Sequence, residues 1–310
     1  VAADGVDLSV ELGRVALSSP VLTASGTFGH GDEVAKLGDP TRLGAVTAKS
    51  LCPEPWAGKP APRLHLTAAG MLNAVGLQGP GIAAWLAHDL PALRATGARV
   101  IASVWGQTVE EFARAAELLE PARAELVALE VNVSCPNLHA RSEMFAHDPV
   151  ATRAVLAAVV GVTTLPVFAK LSPNVTDLTE IARAAVDGGA EGLTLVNTVM
   201  GLLVDAETRR PVLGGGGGGL SGPAIKPVAL RAVHEVTSAL PDIPVIGTGG
   251  MQSGVDAVEM LLAGASAVAV GTANFRDPRA PYRVLDELRE WCAAHGVQRI
   301  RDLIGQLEMT

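Results

Sequence analysis

The sequence predicts an α/β protein folded as a TIM (β/α)8 barrel with a short N-terminal hairpin, one domain spanning residues 1–310. Three features carry that expectation. Eight short apolar runs recur along the chain, helical patterns fill most of the intervals, and polar side chains gather where the apolar runs stop.

The runs follow a hairpin signal, "LSVELGRVAL", near the start. They are "PVLTA" at 20–24, "GAVTAK" at 44–49, "RVIASV" at 99–104 and "LVALEVNVS" at 126–134. "LPVFAKL" at 165–171, "EGLTLVN" at 191–197, "IPVIGTG" at 243–249 and "SAVAVG" at 266–271 complete the set. Their interiors are apolar and often β-branched, as strands covered on both faces require. Between them, "TVEEFARAAELLE" at 108–120 opens with Thr108 and places Glu111 three residues on, a capping-box pattern. "DLTEIARAAVDGG" at 177–189 and "SGVDAVEMLLAG" at 253–264 start with Asp177 and Ser253 as caps and stop at glycine. A doubly wound sheet is the structural rival. It asks for an early GxGxxG turn, and "ASGTFGHG" lacks that spacing.

Composition narrows the function. Charged residues make up 18% and hydrophobic residues 48% of the chain, a globular mix rather than a disordered one. A net charge of −8 and the lack of a dense basic patch argue against nucleic acid. Neither a signal peptide nor an eighteen-residue apolar span is visible, so a cytoplasmic location is expected. Cys52, Cys135 and Cys292 are far apart and odd in number. They suit a reducing compartment, offer no metal site, and are one thiolate short of an ordinary iron–sulfur cluster.

Polar residues mark the mouth of the expected barrel. Lys49, Ser103, Asn132, Lys170 and Asn197 each sit where an apolar run ends, and should converge on one cavity. "GTGG" at 247–250 and "GTANF" at 271–275 end the last two runs, with "GGLSG" at 218–222 ahead of them. Their backbone N–H groups can hold a phosphate without a lysine. Flavin mononucleotide (FMN) would use that seat and lay its ring over the mouth, with Lys49 or Lys170 near its pyrimidine edge. A phosphorylated sugar in a lyase or isomerase is the competing occupant. Either glycine turn alone is as well explained by tight chain reversal.

"LEVNVSCPN" at 129–137 supplies a base. A thiol with an ordinary pKa of about 8.5 needs only modest tuning to accept a proton. Asn132 and Asn137 flank Cys135 and can orient a planar, amide-bearing substrate. A buried cysteine is more often a small hydrophobe, the reading kept for Cys52 and Cys292. Tyr282 and the histidines are other conceivable bases, but none sits at so suggestive a strand end, and only His139 is near enough in sequence to hold in reserve.

These motifs resemble dihydroorotate dehydrogenase, class 1, most closely the catalytic subunit of the NAD-linked 1B branch. "PVLTASGTFGHG", "GMLNAVGLQGPG" at 70–81, "GGLSGPAIKPVAL" at 218–230, "LLAGASAVAVGTANF" at 261–275 and "VNVSCPN" carry the resemblance over nearly the whole chain. It implies an FMN-dependent oxidoreductase that converts (S)-dihydroorotate to orotate in de novo pyrimidine (UMP) biosynthesis. On matching positions it implies flavin contacts at Ser25, Lys49, Ser50, Ser103, Asn132, Lys170, Val196 and Gly222, with Gly249, Gly250, Gly271 and Thr272 at the phosphate. It implies substrate contacts at Lys49, Asn73, Ala74, Val75, Gly76, Leu77, Asn132, Asn137, Asn197 and Thr198. Cys135 would take the C5 proton while the C6 hydride goes to flavin N5. The loop from about Pro136 to Asp148 would cover the substrate. The resemblance further implies a catalytic-chain dimer joined to a subunit carrying FAD and a [2Fe–2S] cluster, together a heterotetramer that passes electrons to NAD+. Cysteine in place of serine as base, and no N-terminal membrane-associated extension, point away from the quinone-linked class.

Four departures from the family pattern stand out: Ser103 for an asparagine, bulky Trp105, Lys59 for an asparagine in "GKPAPR", and the glycine-heavy, expectedly mobile crossover "LGGGGGGLSG" at 213–222. The rival readings are a fumarate-using class 1A enzyme, a dihydropyrimidine-oxidising flavoenzyme, a phosphate-binding barrel lyase, and a degenerate barrel kept for binding.

Overall fold

A computed structural model describes residues 5–34, 37–134 and 144–309. Eight parallel strands close into a barrel in sequence order: β1 (Val21–Thr23), β2 (Ala45–Thr47), β3 (Val100–Val104), β4 (Ala128–Asn132), β5 (Val167–Lys170), β6 (Gly192–Leu195), β7 (Val245–Thr248) and β8 (Ala267–Val270). Closure through Val268↔Val21 excludes the open doubly wound sheet. Each strand falls within a run read from the sequence, and every strand residue is buried. The hairpin forms too, pairing Val10 with Leu17, and places Val10, Leu12, Val15 and Leu17 in the main core.

Helices cover the outside. They are α1, α2 (Val109–Leu119), α3 (Pro149–Val160), α4 (Leu178–Asp187), α5 (Lys226–Ala239), α6 (Gly254–Leu262), the short α7 (Ala273–Arg276) and α8 (Ala280–Ala294). The first is continuous through Ile82–Ala84, a π turn at Trp85–Asp89 and Leu90–Ala95. Its Pro91 supplies no N–H to the ladder, a sufficient reason for the wider turn. Phe112, Ala115, Ala116 and Leu119 give α2 its buried stripe. The Thr108 hydroxyl accepts from the Glu111 N–H at 3.2 Å, as the capping box requires. The return bond lands one residue early: the Glu111 carboxylate accepts from the Gln107 N–H at 2.8 Å. Asp177 caps α4, and Ser253 with Asp256 completes a reciprocal box on α6. Between β1 and β2 the described residues hold a 3-10 turn, Pro40–Arg42, where a barrel usually has a helix.

One element was not anticipated. A four-stranded antiparallel sheet stands beside the mouth, in the order Val199–Gly201, Gly218–Ser221, Gly70–Asn73, Leu64–Thr67. It is assembled from two excursions, one after β2 and one after β6. The glycine-heavy crossover, expected to be mobile, is therefore partly ladder-bonded strand: Gly219 pairs with Asn73 on one side and Met200 on the other. A side chain at Gly219 would collide with Thr198, so close approach explains that glycine. Leu72, Ala74 and Leu213 form a small core of their own beneath this sheet, separate from the barrel core.

Among the described residues no helix is long and apolar enough to cross a membrane.

Candidate active site

A cavity of about 860 Å³ opens between the C-terminal ends of the strands and the four-stranded sheet. That is a size ordinarily occupied by a cofactor and a small molecule. Ser25, Lys49, Ser50, Asn132, Lys170, Val196, Gly222, Gly249, Gly250, Gly271 and Thr272 all line it. So do Asn73, Ala74, Val75, Gly76, Leu77, Asn197 and Thr198. Among the described residues, one flavin contact named from sequence is not on its wall. Ser103 is fully buried under the floor. Cys135 and Asn137 lie outside the described residues, as does His139. The chain enters that segment at Ser134 and leaves it at Met144, both of which line the cavity.

The floor is a directed relay of hydrogen bonds. Ser103 Oγ donates to Glu130 Oε1 at 3.0 Å, which uses its single proton. The 2.9 Å contact between Ser50 Oγ and Ser103 Oγ must then have Ser50 as donor. Asn132 Nδ2 donates to Ser50 Oγ at 3.1 Å, Ser134 Oγ donates to Asn132 Oδ1 at 2.7 Å, and Asn197 Nδ2 donates to Ser134 Oγ at 2.6 Å. Every member from Asn197 onward points its donor toward Glu130. The carboxylate thus sets which edge of each asparagine faces the cavity.

Glu130 has a second partner. Lys170 Nζ stands 3.8 Å from its Oε1 and donates to Ser25 Oγ at 3.2 Å, with both charged side chains about 5–6% exposed. Glu130 and Ser134 were not singled out from sequence. The signal for Glu130 was available: a charged residue inside the apolar run "LVALEVNVS". Ser134 carried no signal beyond its neighbours.

The glycine turns make the opposite end. The N–H groups of Gly249, Gly250, Gly271 and Thr272 donate to no group among the described residues, though all four residues line the cavity. Unpartnered N–H groups facing a cavity are costly unless an acceptor meets them, and a phosphate supplies several. Behind the turn, Lys226 Nζ donates to Asp256 Oδ1 and Glu259 Oε2, each at 2.7 Å. Asp256 Oδ2 in turn accepts from the Gln252 and Ser253 N–H groups at 2.8 Å. The chemistry of this donor set, N–H groups at the turns without a partner among the described residues and lysine ammonium groups farther along the wall, fits a phosphate-bearing cofactor such as FMN.

The remaining candidates are placed elsewhere. Cys52 Sγ donates to the Glu54 carbonyl at 3.0 Å, and burial pushes its thiol up to about 11. Cys292 is fully buried and likewise pushed up to about 11. Neither is a thiolate near neutral pH. Burial, reinforced by Asp39, takes Tyr282 up to about 12, and it does not line the cavity. Trp105 is buried, is not among the described residues lining the cavity, and packs edge-on against Trp56, ring centres 5.7 Å apart.

The family model described as dihydroorotate dehydrogenase matches residues 7–291. The chain is 47% identical over 303 residues to a protein of Geobacter metallireducens named "Dihydroorotate dehydrogenase B (NAD(+)), catalytic subunit", covering 98% of this chain and 99% of that one. Proteins of the same name match from Alkaliphilus metalliredigens, at 45% over 97% of this chain and 99% of theirs, and from Geotalea uraniireducens, at 47% over 97% and 98%. With a closed barrel, one lined cavity and this breadth of likeness, the chain belongs to the dihydroorotate dehydrogenase family.

Proposed function

We propose that this chain is the FMN-binding catalytic subunit of an NAD+-linked dihydroorotate dehydrogenase, oxidising (S)-dihydroorotate to orotate in pyrimidine biosynthesis. One observation carries the reading: a cavity has N–H groups without a partner among the described residues at one end and a row of oriented asparagines at the other. A phosphorylated sugar would satisfy the first end but has no use for the second.

Gly249, Gly250, Gly271 and Thr272 would hold the phosphate of FMN through their N–H groups. Ser25, Ser50, Val196 and Gly222 would bound its ring, and Lys49 and Lys170 would supply positive charge beside it. Bound there, FMN supplies the acceptor for the C6 hydride. Asn73, Asn132 and Asn197 orient the substrate ring, aided by the backbone from Ala74 to Leu77, by Thr198, and by Asn137 from the segment beyond Ser134. Cys135, as thiolate, accepts the C5 proton. This positioning brings the reacting atoms together and accounts for much of the rate gain.

The same reading assigns the final electron transfer to a partner subunit with FAD and a [2Fe–2S] cluster, in a heterotetramer built on a dimer of this chain in the cytoplasm. Anaerobic mixing of the FMN-loaded protein with dihydroorotate should bleach the flavin. Bleaching by dihydrouracil alone would overturn the substrate assignment. NADH should form only when the partner subunit is added, whereas efficient fumarate reduction without it would point to class 1A.

The phosphate seat has its own test. Gly250 has φ +78°, and a Cβ there would stand 2.7 Å from the Lys226 backbone N. Gly250→Val should therefore displace the turn and weaken FMN binding at least about fivefold, from a strain of more than about 1 kcal/mol. Flavin content after gel filtration measures this, and full occupancy in the variant would remove the turn from the phosphate site.

A further inference from the structure

The charge around the cavity is opposite to that of the chain. The sequence carries a net −8, yet among the described residues the charged side chains lining the cavity are all cations: Lys49, Lys59, Lys170 and Arg276. Lys170 faces the buried carboxylate of Glu130, and Lys49 is engaged as well. Arg276 belongs to the phosphate end, four residues beyond Thr272. Lys59 is at the other end, and its ammonium has no carboxylate partner among the described residues.

Its seat is built. The Lys59 N–H donates to the Val75 carbonyl at 3.1 Å, and the Lys59 carbonyl accepts from Arg63 Nε at 2.6 Å. Arg63 Nη2 also donates to the Ala57 carbonyl at 3.0 Å, tying the loop on both sides of Lys59. The lysine stem runs between two glycines. A Cβ on Gly76 would stand 2.7 Å from Lys59 Cγ, and one on Gly215 would stand 2.8 Å from Lys59 Cδ. Two departures from the family pattern thus meet: the extra glycines of the crossover leave the space that the unusual lysine fills.

We propose that Lys59 binds the carboxylate of the substrate, a cyclic ureide monocarboxylate, and that Gly215 holds the room its stem needs. The inference rests on the proposed activity and adds a specificity determinant to it. A cation on the wall of a concave, partly desolvated site, with no carboxylate partner among the described residues, favours an anionic ligand, and a charge-assisted hydrogen bond is stronger than a neutral one.

The test titrates FMN-loaded protein with orotate, and with uracil as the same ring without the carboxylate, following the flavin absorbance. Lys59→Met should weaken orotate roughly 10- to 100-fold. It should leave uracil within about twofold and flavin content at the wild-type level. Lys59→Arg should recover most of the orotate affinity. Gly215→Ala, which moves the stem without removing the charge, should shift orotate binding in the same direction by less. Unchanged orotate binding in Lys59→Met, or equal weakening of uracil, would overturn the proposal. Should Lys59→Met lose its flavin, Gly215→Ala decides alone: selective weakening of orotate supports the proposal and unchanged binding overturns it. Failure of the wild-type protein to bind orotate would instead remove the activity itself, before any variant is read.

Discussion

Cys135→Ser lowers the rate of flavin reduction by dihydroorotate about 10²- to 10⁴-fold near neutral pH, the contribution expected of a positioned general base. The flavin should stay bound, because the residues proposed to hold its phosphate, Gly249, Gly250, Gly271 and Thr272, lie far along the chain from Cys135. A serine hydroxyl ionises far less readily than a thiol, so the variant's rate should climb as pH rises across the range where the wild type has already levelled off. Anaerobic stopped-flow reduction over a pH series measures both effects. An undiminished rate in the variant would remove Cys135 as the base. Cys52 and Cys292 cannot substitute, since burial holds both thiols up at about 11.

The second large effect is on stability. Glu130→Ala should cost about 3–5 kcal/mol, the usual penalty for leaving one member of a buried ion pair without its partner. Lys170 is 3.8 Å away and nearly inaccessible to water, so its charge would lose compensation where solvent cannot replace it. Ser103 would lose its acceptor as well. Against a total stability of about 5–15 kcal/mol, such a loss is large. The double variant Glu130→Leu, Lys170→Met should recover most of it, because paired removal leaves no orphaned charge. Urea denaturation of the three proteins tests this, and a loss under about 1 kcal/mol in Glu130→Ala would show that the pair contributes little. A destabilised floor would also release the asparagine orientations, so the single variant should lose turnover even where it remains folded.

The barrel was legible because a fully buried strand needs an uninterrupted apolar run, and eight such runs leave few alternatives. The antiparallel sheet at the mouth was not. Its strands are three or four residues long, and glycine stands where strand-forming side chains would normally signal pairing. Its strands come two each from distant excursions that have no local reason to meet. In the site, residues at strand ends announced themselves by breaking apolar runs, and most of them reach the cavity wall. Ser103 broke its run in the same way yet lies below the floor. Side-chain length decides that difference: serine stops at Ser50, one layer short of the opening. Glu130 went unremarked because an isolated acid in a strand is ordinarily a solvated edge. Its burial depends on Lys170, forty residues away in sequence.

The separate core of Leu72, Ala74 and Leu213 makes the cavity a composite of two independently supported walls. One wall inherits the stiffness of the closed barrel. The other hangs from a patch of three buried side chains and can be reshaped without repacking the strands. Such an arrangement lets ligand preference drift in a lineage while the redox seat stays in place, since a substitution under the small sheet need not be felt at β7 or β8.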